Sequence, residues 1–208
     1  MKKISLHEPK FNGNELKYLK DCIKSTWVST SGKYINKFEK KILKYTKSKY
    51  AIACNSGTSS LHISLLVAGV KTNDEVIVPT LTFIAPINAV SYVNAKPVFM
   101  DCDQYFNIDI KKTTEFIKNQ TFFKNGFTIN KKSRKKIKAL IVVHVFGNAV
   151  DLKEIHKLCK KRNIKLIEDC SESVGTFYKS KNKKKHTGNY GDLSCLSFNG
   201  NKIITSGA

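Results

Sequence analysis

The sequence predicts an α/β protein with a mainly parallel sheet and helices on both faces. Short β-rich apolar runs alternate with helical segments from residue 50 to residue 198, which is the rhythm of βαβ units. Several runs, among them "EVIVP" (75–79) and "KALIVVHVF" (138–146), are apolar almost throughout, as strands covered on both faces must be. The 208 residues, 41% of them hydrophobic, suffice for one good-sized core.

The elements follow in order. Residues 14–25 and 34–47 carry apolar positions at helical spacing: Leu16, Leu19 and Ile23, then Ile35, Phe38, Ile42 and Tyr45. "STWVSTSGKY" between them reads as a polar turn region. Strands are predicted at 50–54 ("YAIAC"), 75–79, 97–101, 138–146, 164–169 and 192–198. Helices are predicted at 58–69, 83–93, 109–118 and 151–162. The basic stretch 119–137 reads as a surface excursion, and "KSKNKKKH" (179–186) as a loop. The organisation expected is an N-terminal helical segment, 1–48, before a sheet-containing domain, 49–208.

The net charge is +21, yet of 37 basic residues only Arg134 and Arg162 are arginine. Readers of nucleic acid rely on arginine forks, and these lysines are scattered. The expectation is therefore no nucleic-acid partner, but a field that attracts small anions. No apolar run is long enough to cross a membrane, and the first twenty residues lack a signal peptide's apolar stretch. No membrane partner and a cytoplasmic location are expected. The six cysteines show no C-x-x-C pair, and His62, His144, His156 and His186 have no ligand spacing. Neither disulfides nor a metal is predicted. Cys54 and Cys170 end strand-like runs and are expected to pack as small hydrophobes.

Ligands of such sheets gather at the carboxyl ends of strands. After the first predicted strand, Ser56, Gly57 and Thr58 open a helix; this is either an ordinary N-cap or an anion cradle. Phe83 follows the second strand, either as a core aromatic or as a ring facing a ligand. Glu168 and Asp169 close a buried strand, where a carboxylate requires a cationic partner; a helix N-cap is the other reading of Asp169. His144 is either packed at its strand end or lines the cleft. The last strand ends at Ser197, and Lys202 follows five residues later. Lysine is about one residue in six here, so Lys202 alone proves little. Together these parts supply what pyridoxal phosphate (PLP) requires: a phosphate cradle, a stacking ring, an anion for the pyridine nitrogen and an amine for its aldehyde.

The segments "WVSTSGKYINKFE", "ACNSGTSSLHISLL", "VIVPTLTFIAPINAV", "KPVFMDCD", "VVHVFGNAVDLKEI", "LIEDCSESVGTFY" and "TGNYGDLSCLSFNGNKIITSG" resemble the DegT/DnrJ/EryC1/StrS sugar aminotransferases, which have the aspartate aminotransferase fold. The resemblance implies the large domain of a fold type I PLP-transferase. It makes Lys202 the lysine that binds the cofactor, Asp169 the partner of the pyridine nitrogen and Phe83 the stacking ring. Gly57, Thr58 and Ser197 would hold the phosphate, and Glu172 would lie beside the phenolic oxygen. It further implies a homodimer and amino transfer, with L-glutamate as donor, to a nucleotide-linked keto-sugar for surface polysaccharide or amino-sugar synthesis. "SFNGNKIIT", with the insertion before "IKALIVVHVFG", most resembles the branch linked to legionaminic-acid-type sugars. Related dehydratases of the group replace the lysine by histidine, and Lys202 argues against them. The family is about twice this length by resemblance, so the chain reads as a fragment truncated before the small C-terminal domain. Poor stability and little transaminase activity are expected of it alone, and a non-catalytic remnant or regulatory partner is the alternative.

Overall fold

The structure is a computed structural model that describes residues 4–5, 8–180 and 183–207. Helices α1 (Glu15–Lys24) and α2 (Lys33–Thr46) come first. Then follow α3 (Gly57–Val67), β1 (Glu75–Pro79), α4 (Ala85–Tyr92), β2 (Lys96–Met100) and α5 (Ile110–Asn119). A hairpin of β3 (Thr121–Lys124) and β4 (Phe127–Asn130) precedes β5 (Lys136–Val143), α6 (Lys153–Lys161) and β6 (Lys165–Asp169). A second hairpin, β7 (Phe177–Ser180) and β8 (Lys183–His186), leads to β9 (Leu193–Cys195).

Five strands run parallel in the order β2-β1-β5-β6-β9. Alternation along each strand sorts the core into two layers. On one face Val76, Val78, Ile141 and Ile167 pack with Leu61 and Leu65 of α3 and Val90 of α4. On the other, Ile77, Leu140, Val142 and Leu166 pack with Ile117 of α5 and Ile155 of α6. Each such side chain contributes about 1.5–3 kcal/mol by burial. The predicted α/β architecture with helices on both faces is thus present. The same alternation decides the two acids closing β6: Asp169 falls on the α3 face and Glu168 on the α6 face.

Four local expectations are corrected. Residues 50–54 form no strand. Tyr50 and Ile52 are 79% and 81% exposed, and a β-rich sequence with no neighbour to bond to does not enter a ladder. The stretch 119–137 is more than a surface excursion: β4 pairs antiparallel with the start of β5, and buried Asn130 donates its side-chain amide to Glu75 (2.8 Å). Its turn, Asn125-Gly126, has positive φ at both residues (50° and 78°), the geometry that an Asn-Gly hairpin favours. Residues 179–186, expected as a loop, mostly belong to the β7–β8 hairpin. The last strand is also shorter than 192–198.

Both N-terminal helices lie at the expected places, but α1 buries none of its residues and α2 only Thr46. No helix among the described residues is long and apolar enough to cross a membrane.

Candidate active site

The residues singled out at the strand ends fall into two groups on opposite faces of β6. The first surrounds the start of α3. Ser56 caps this helix by accepting the Ser59 N–H (3.1 Å), and the Ser60 N–H bonds the Ser56 carbonyl (3.0 Å). The Gly57 and Thr58 amides at the positive end of the helix are left without a partner inside it. A Cβ on Gly57 would lie 3.0 Å from Ser197 Cβ and 3.5 Å from Ser171 Oγ. A larger residue there would have to push Ser197 back by a few tenths of an ångström, so glycine lets the helix start and the Ser197 side chain approach this closely. The N-cap reading of the "NSGTS" stretch is borne out, and the cap leaves the Gly57 and Thr58 amides over.

Asp169 is 5% exposed, and its Oδ1 accepts the Ser171 N–H (3.0 Å). No helix starts there, so the N-cap reading is corrected. Burial pushes its carboxyl above the usual carboxylate range; the hydrogen bonds from Ser171 and the charge of Lys202 pull the other way. Lys202 lies in a loop closed at its base by the Ser206 N–H and the Thr205 hydroxyl, both donating to the Phe198 carbonyl (2.8 and 3.1 Å). The Phe198 ring meets Phe38 of α2 edge-on, centroids 5.0 Å apart. Lys202 Nζ stands 3.7 Å from Glu172 Oε1. The other Glu172 oxygen accepts the Phe146 N–H (2.9 Å). The structure thus brings Lys202, Glu172 and Asp169 together electrostatically, and Gly57 and Ser197 by contact. Phe83 is not a core aromatic: its ring is 77% exposed on the loop before α4. One residue earlier on that loop, Thr82 Oγ1 is the only buried side-chain polar atom without a partner among the described residues.

The second group lies behind the first, and sequence reasoning did not foresee it. Glu168 is fully buried. Its Oε1 accepts the N–H groups of Tyr190 (2.8 Å) and Gly191 (2.6 Å). Its Oε2 accepts the Gly188 N–H (2.9 Å) and faces His144 Nε2 (3.0 Å). His144 is itself fully buried, which decides for the packed reading of that residue. The available signal was the pair of glycines in "TGNYGD", spaced to fold a turn whose amides point inward.

The cysteines divide. Cys170 is buried as expected; Cys54 is exposed, which corrects its assignment as a packed hydrophobe. A cavity of about 1250 Å³ adjoins both groups: Ser56 and Gly57 of the helix start, Gly188 and Gly191 of the turn, and Ala53 and Leu193 line it, while Lys202 and Asp169 do not.

The model of the DegT/DnrJ/EryC1/StrS aminotransferase family matches residues 9–208. A GDP-perosamine synthase of Escherichia coli O157:H7 is 41% identical over 207 residues, 100% of this chain and 52% of that protein. The chain thus spans about half the length of the curated relatives it matches. Among solved structures, an aminotransferase from Psychrobacter cryohalolentis superposes with a TM-score of 0.79 at 29% identity, over 97% of this chain and 47% of that one. NtdA of Bacillus subtilis with bound cofactor PMP superposes with a TM-score of 0.75 at 30% identity, over 92% and 39%. With the family model matching residues 9–208 and a relative 41% identical over the whole chain, the chain belongs to the DegT/DnrJ/EryC1/StrS aminotransferase family.

Proposed function

We propose that this chain carries the cofactor-binding part of a cytoplasmic PLP-dependent enzyme that moves an amino group from L-glutamate to a nucleotide-linked keto-sugar. The observation that carries it is Lys202 Nζ, 3.7 Å from Glu172 Oε1 and acting on the buried Asp169. The residues fit the cofactor. Gly57, Thr58 and Ser197 offer a phosphate spare helix amides and a hydroxyl, with no Cβ on Gly57 in the way. Asp169 is a desolvated carboxyl that a cationic ring nitrogen would suit. Phe83 presents an open ring for stacking.

When bound, PLP supplies an aldehyde for covalent attachment of amines and a conjugated ring that accepts an electron pair. Lys202 would hold that aldehyde and, once released, carry the proton between donor carbon and cofactor. Asp169 would keep the ring nitrogen protonated. Glu172 would lie beside the phenolic oxygen, its position fixed by the Phe146 N–H. Residues 49–208 would form the binding domain behind the helical segment 1–48, with a homodimer completing the site. The name of the E. coli relative makes a GDP-linked keto-sugar the first substrate to try; the "SFNGNKIIT" motif keeps the legionaminic-acid-type branch as the finer alternative.

Mixing the purified 208-residue chain with PLP should produce an absorbance band near the edge of the visible that Lys202→Ala lacks. An equal band in Lys202→Ala would sink the reading. An amination assay with glutamate and a GDP-linked keto-sugar then tests the substrate.

A further inference from the structure

Glu168 has no part in the chemistry above, yet it is the most heavily bonded side chain at the strand ends. Its two oxygens accept three backbone N–H groups from the turn 188–191 and face one ring nitrogen of His144. The histidine's protonation follows from geometry. Its Nδ1 accepts the Val150 N–H (3.1 Å), so the proton sits on Nε2 and is donated to Glu168. His144, Glu168 and Cys170 could be mistaken for a metal cluster, their donor atoms lying within 4.8 Å of one another. Both imidazole nitrogens and both carboxylate oxygens are, however, already engaged.

The turn is built for this carboxylate. A Cβ on Gly191 would stand 2.6 Å from the Leu166 carbonyl, and one on Gly188 would stand 2.9 Å from Ser194 Cβ and 3.1 Å from Cys170 Sγ. Only glycines let the amides reach Glu168. One side chain thereby ties together three segments: the end of β5 through His144, β6 itself, and the turn that starts β9 and so sets the path to Ser197 and Lys202. On the front of the same strands, Asp169 lies in register with Val143 and Cys195. The His144 N–H bonds the Asp169 carbonyl (3.1 Å), and the Cys170 N–H bonds the Cys195 carbonyl (2.8 Å).

We propose that Glu168 is a positioning residue of the cofactor site: clamped by His144 and the 188–191 amides behind the sheet, it fixes where Asp169 and the Lys202-bearing segment stand in front of it. The proposal rests on the PLP reading. Sites of this kind tolerate only about 0.5 Å of misplacement, and in Glu168→Gln one of the two oxygens becomes an amide NH2 donor aimed at two donors.

The test compares PLP-loaded wild-type chain with Glu168→Gln, His144→Gln and Ile117→Ala, the last a core control on the same face of the sheet. Each is measured below its unfolding transition. Glu168→Gln should bind PLP about tenfold or more weakly, with a shifted pH midpoint of the absorbance band. His144→Gln should shift both the same way by less, and Ile117→Ala should keep both. Wild-type ¹⁵N-histidine spectra should show His144 protonated on Nε2 and not on Nδ1. A Glu168→Gln variant with wild-type affinity and pH midpoint overturns the proposal, as does an Nδ1 proton on His144. If Glu168→Gln fails to fold, the His144→Gln comparison and the spectra decide. Absence of a Lys202-dependent band in the wild type instead overturns the cofactor reading, and this proposal with it.

Discussion

Residues 50–54 and residues 165–169 look alike as sequence and behave differently as structure. Both are short, β-rich and followed by polar residues at a strand end. "KLIED" is held between β5 and β9, and its last four residues are buried. "YAIAC" pairs with nothing in the sheet, and the Ala53 N–H makes do with the Glu39 carboxylate (2.8 Å). The cavity of about 1250 Å³ lies along this segment and reaches Leu193 of β9. A strand is thus a property of a ladder before it is a property of a segment: propensity decides which residues can pair, and neighbours decide whether they do.

Substitutions can break or sharpen this contrast. The largest effect should come from Glu168→Ala, which strands a histidine donor and three amides in the interior. A loss of about 3–5 kcal/mol is expected, measured by urea denaturation; a loss under about 1 kcal/mol would show that the clamp holds little. Next, Ile141→Ala in the central strand should cost about 2–5 kcal/mol as a cavity mutation, visible as a lowered midpoint with an unchanged slope.

A smaller effect, with a definite pH dependence, belongs to Asp169. Burial raises its folded-state pKa above 3.8, so the folded protein holds this proton more tightly than the unfolded chain does. Stability therefore falls as pH rises from about 3.8 through the raised value. Asp169→Asn should raise the melting temperature of the cofactor-free chain at pH 7 and leave it nearly unchanged at acid pH. Equal shifts at both would mean that the charge is not the cause. Smallest of all, Ile52→Ser should change stability by no more than about 0.5 kcal/mol. Hydrogen exchange in the same sample should find the 51–54 amides open and those of β5 and β6 protected.

Much of the fold was legible. The parallel strands 75–79, 97–101 and 164–169 sit within a residue of their predicted places, because their apolar runs are bounded by turn residues and interrupted by helices of the right length. The β3–β4 hairpin was readable too, had the Asn125-Gly126 pair been weighed above the surrounding lysines. In the site, Gly57, Ser197, Asp169, Glu172 and Lys202 could be named from order and resemblance. Their neighbours could not, because Gly57 comes up against Ser197, and Lys202 against Glu172, only once the sheet has set its register. The role of Glu168 was hidden for the same reason. Nothing in the pair Glu168-Asp169 says which face each acid takes.

The sequence by itself determined the alternation of strands and helices, the two-faced sheet and the residue types able to hold a phosphate, a ring and an aldehyde. These are local matters of period, turn chemistry and functional group. Only the tertiary structure decided that 50–54 stays out of the sheet, that Asp169 turns toward Lys202 while Glu168 turns away, and that a histidine 24 residues before Glu168 holds its carboxylate. Ladder pairing and burial are cooperative: they depend on what lies next to a segment in space, and a linear pattern does not carry that information.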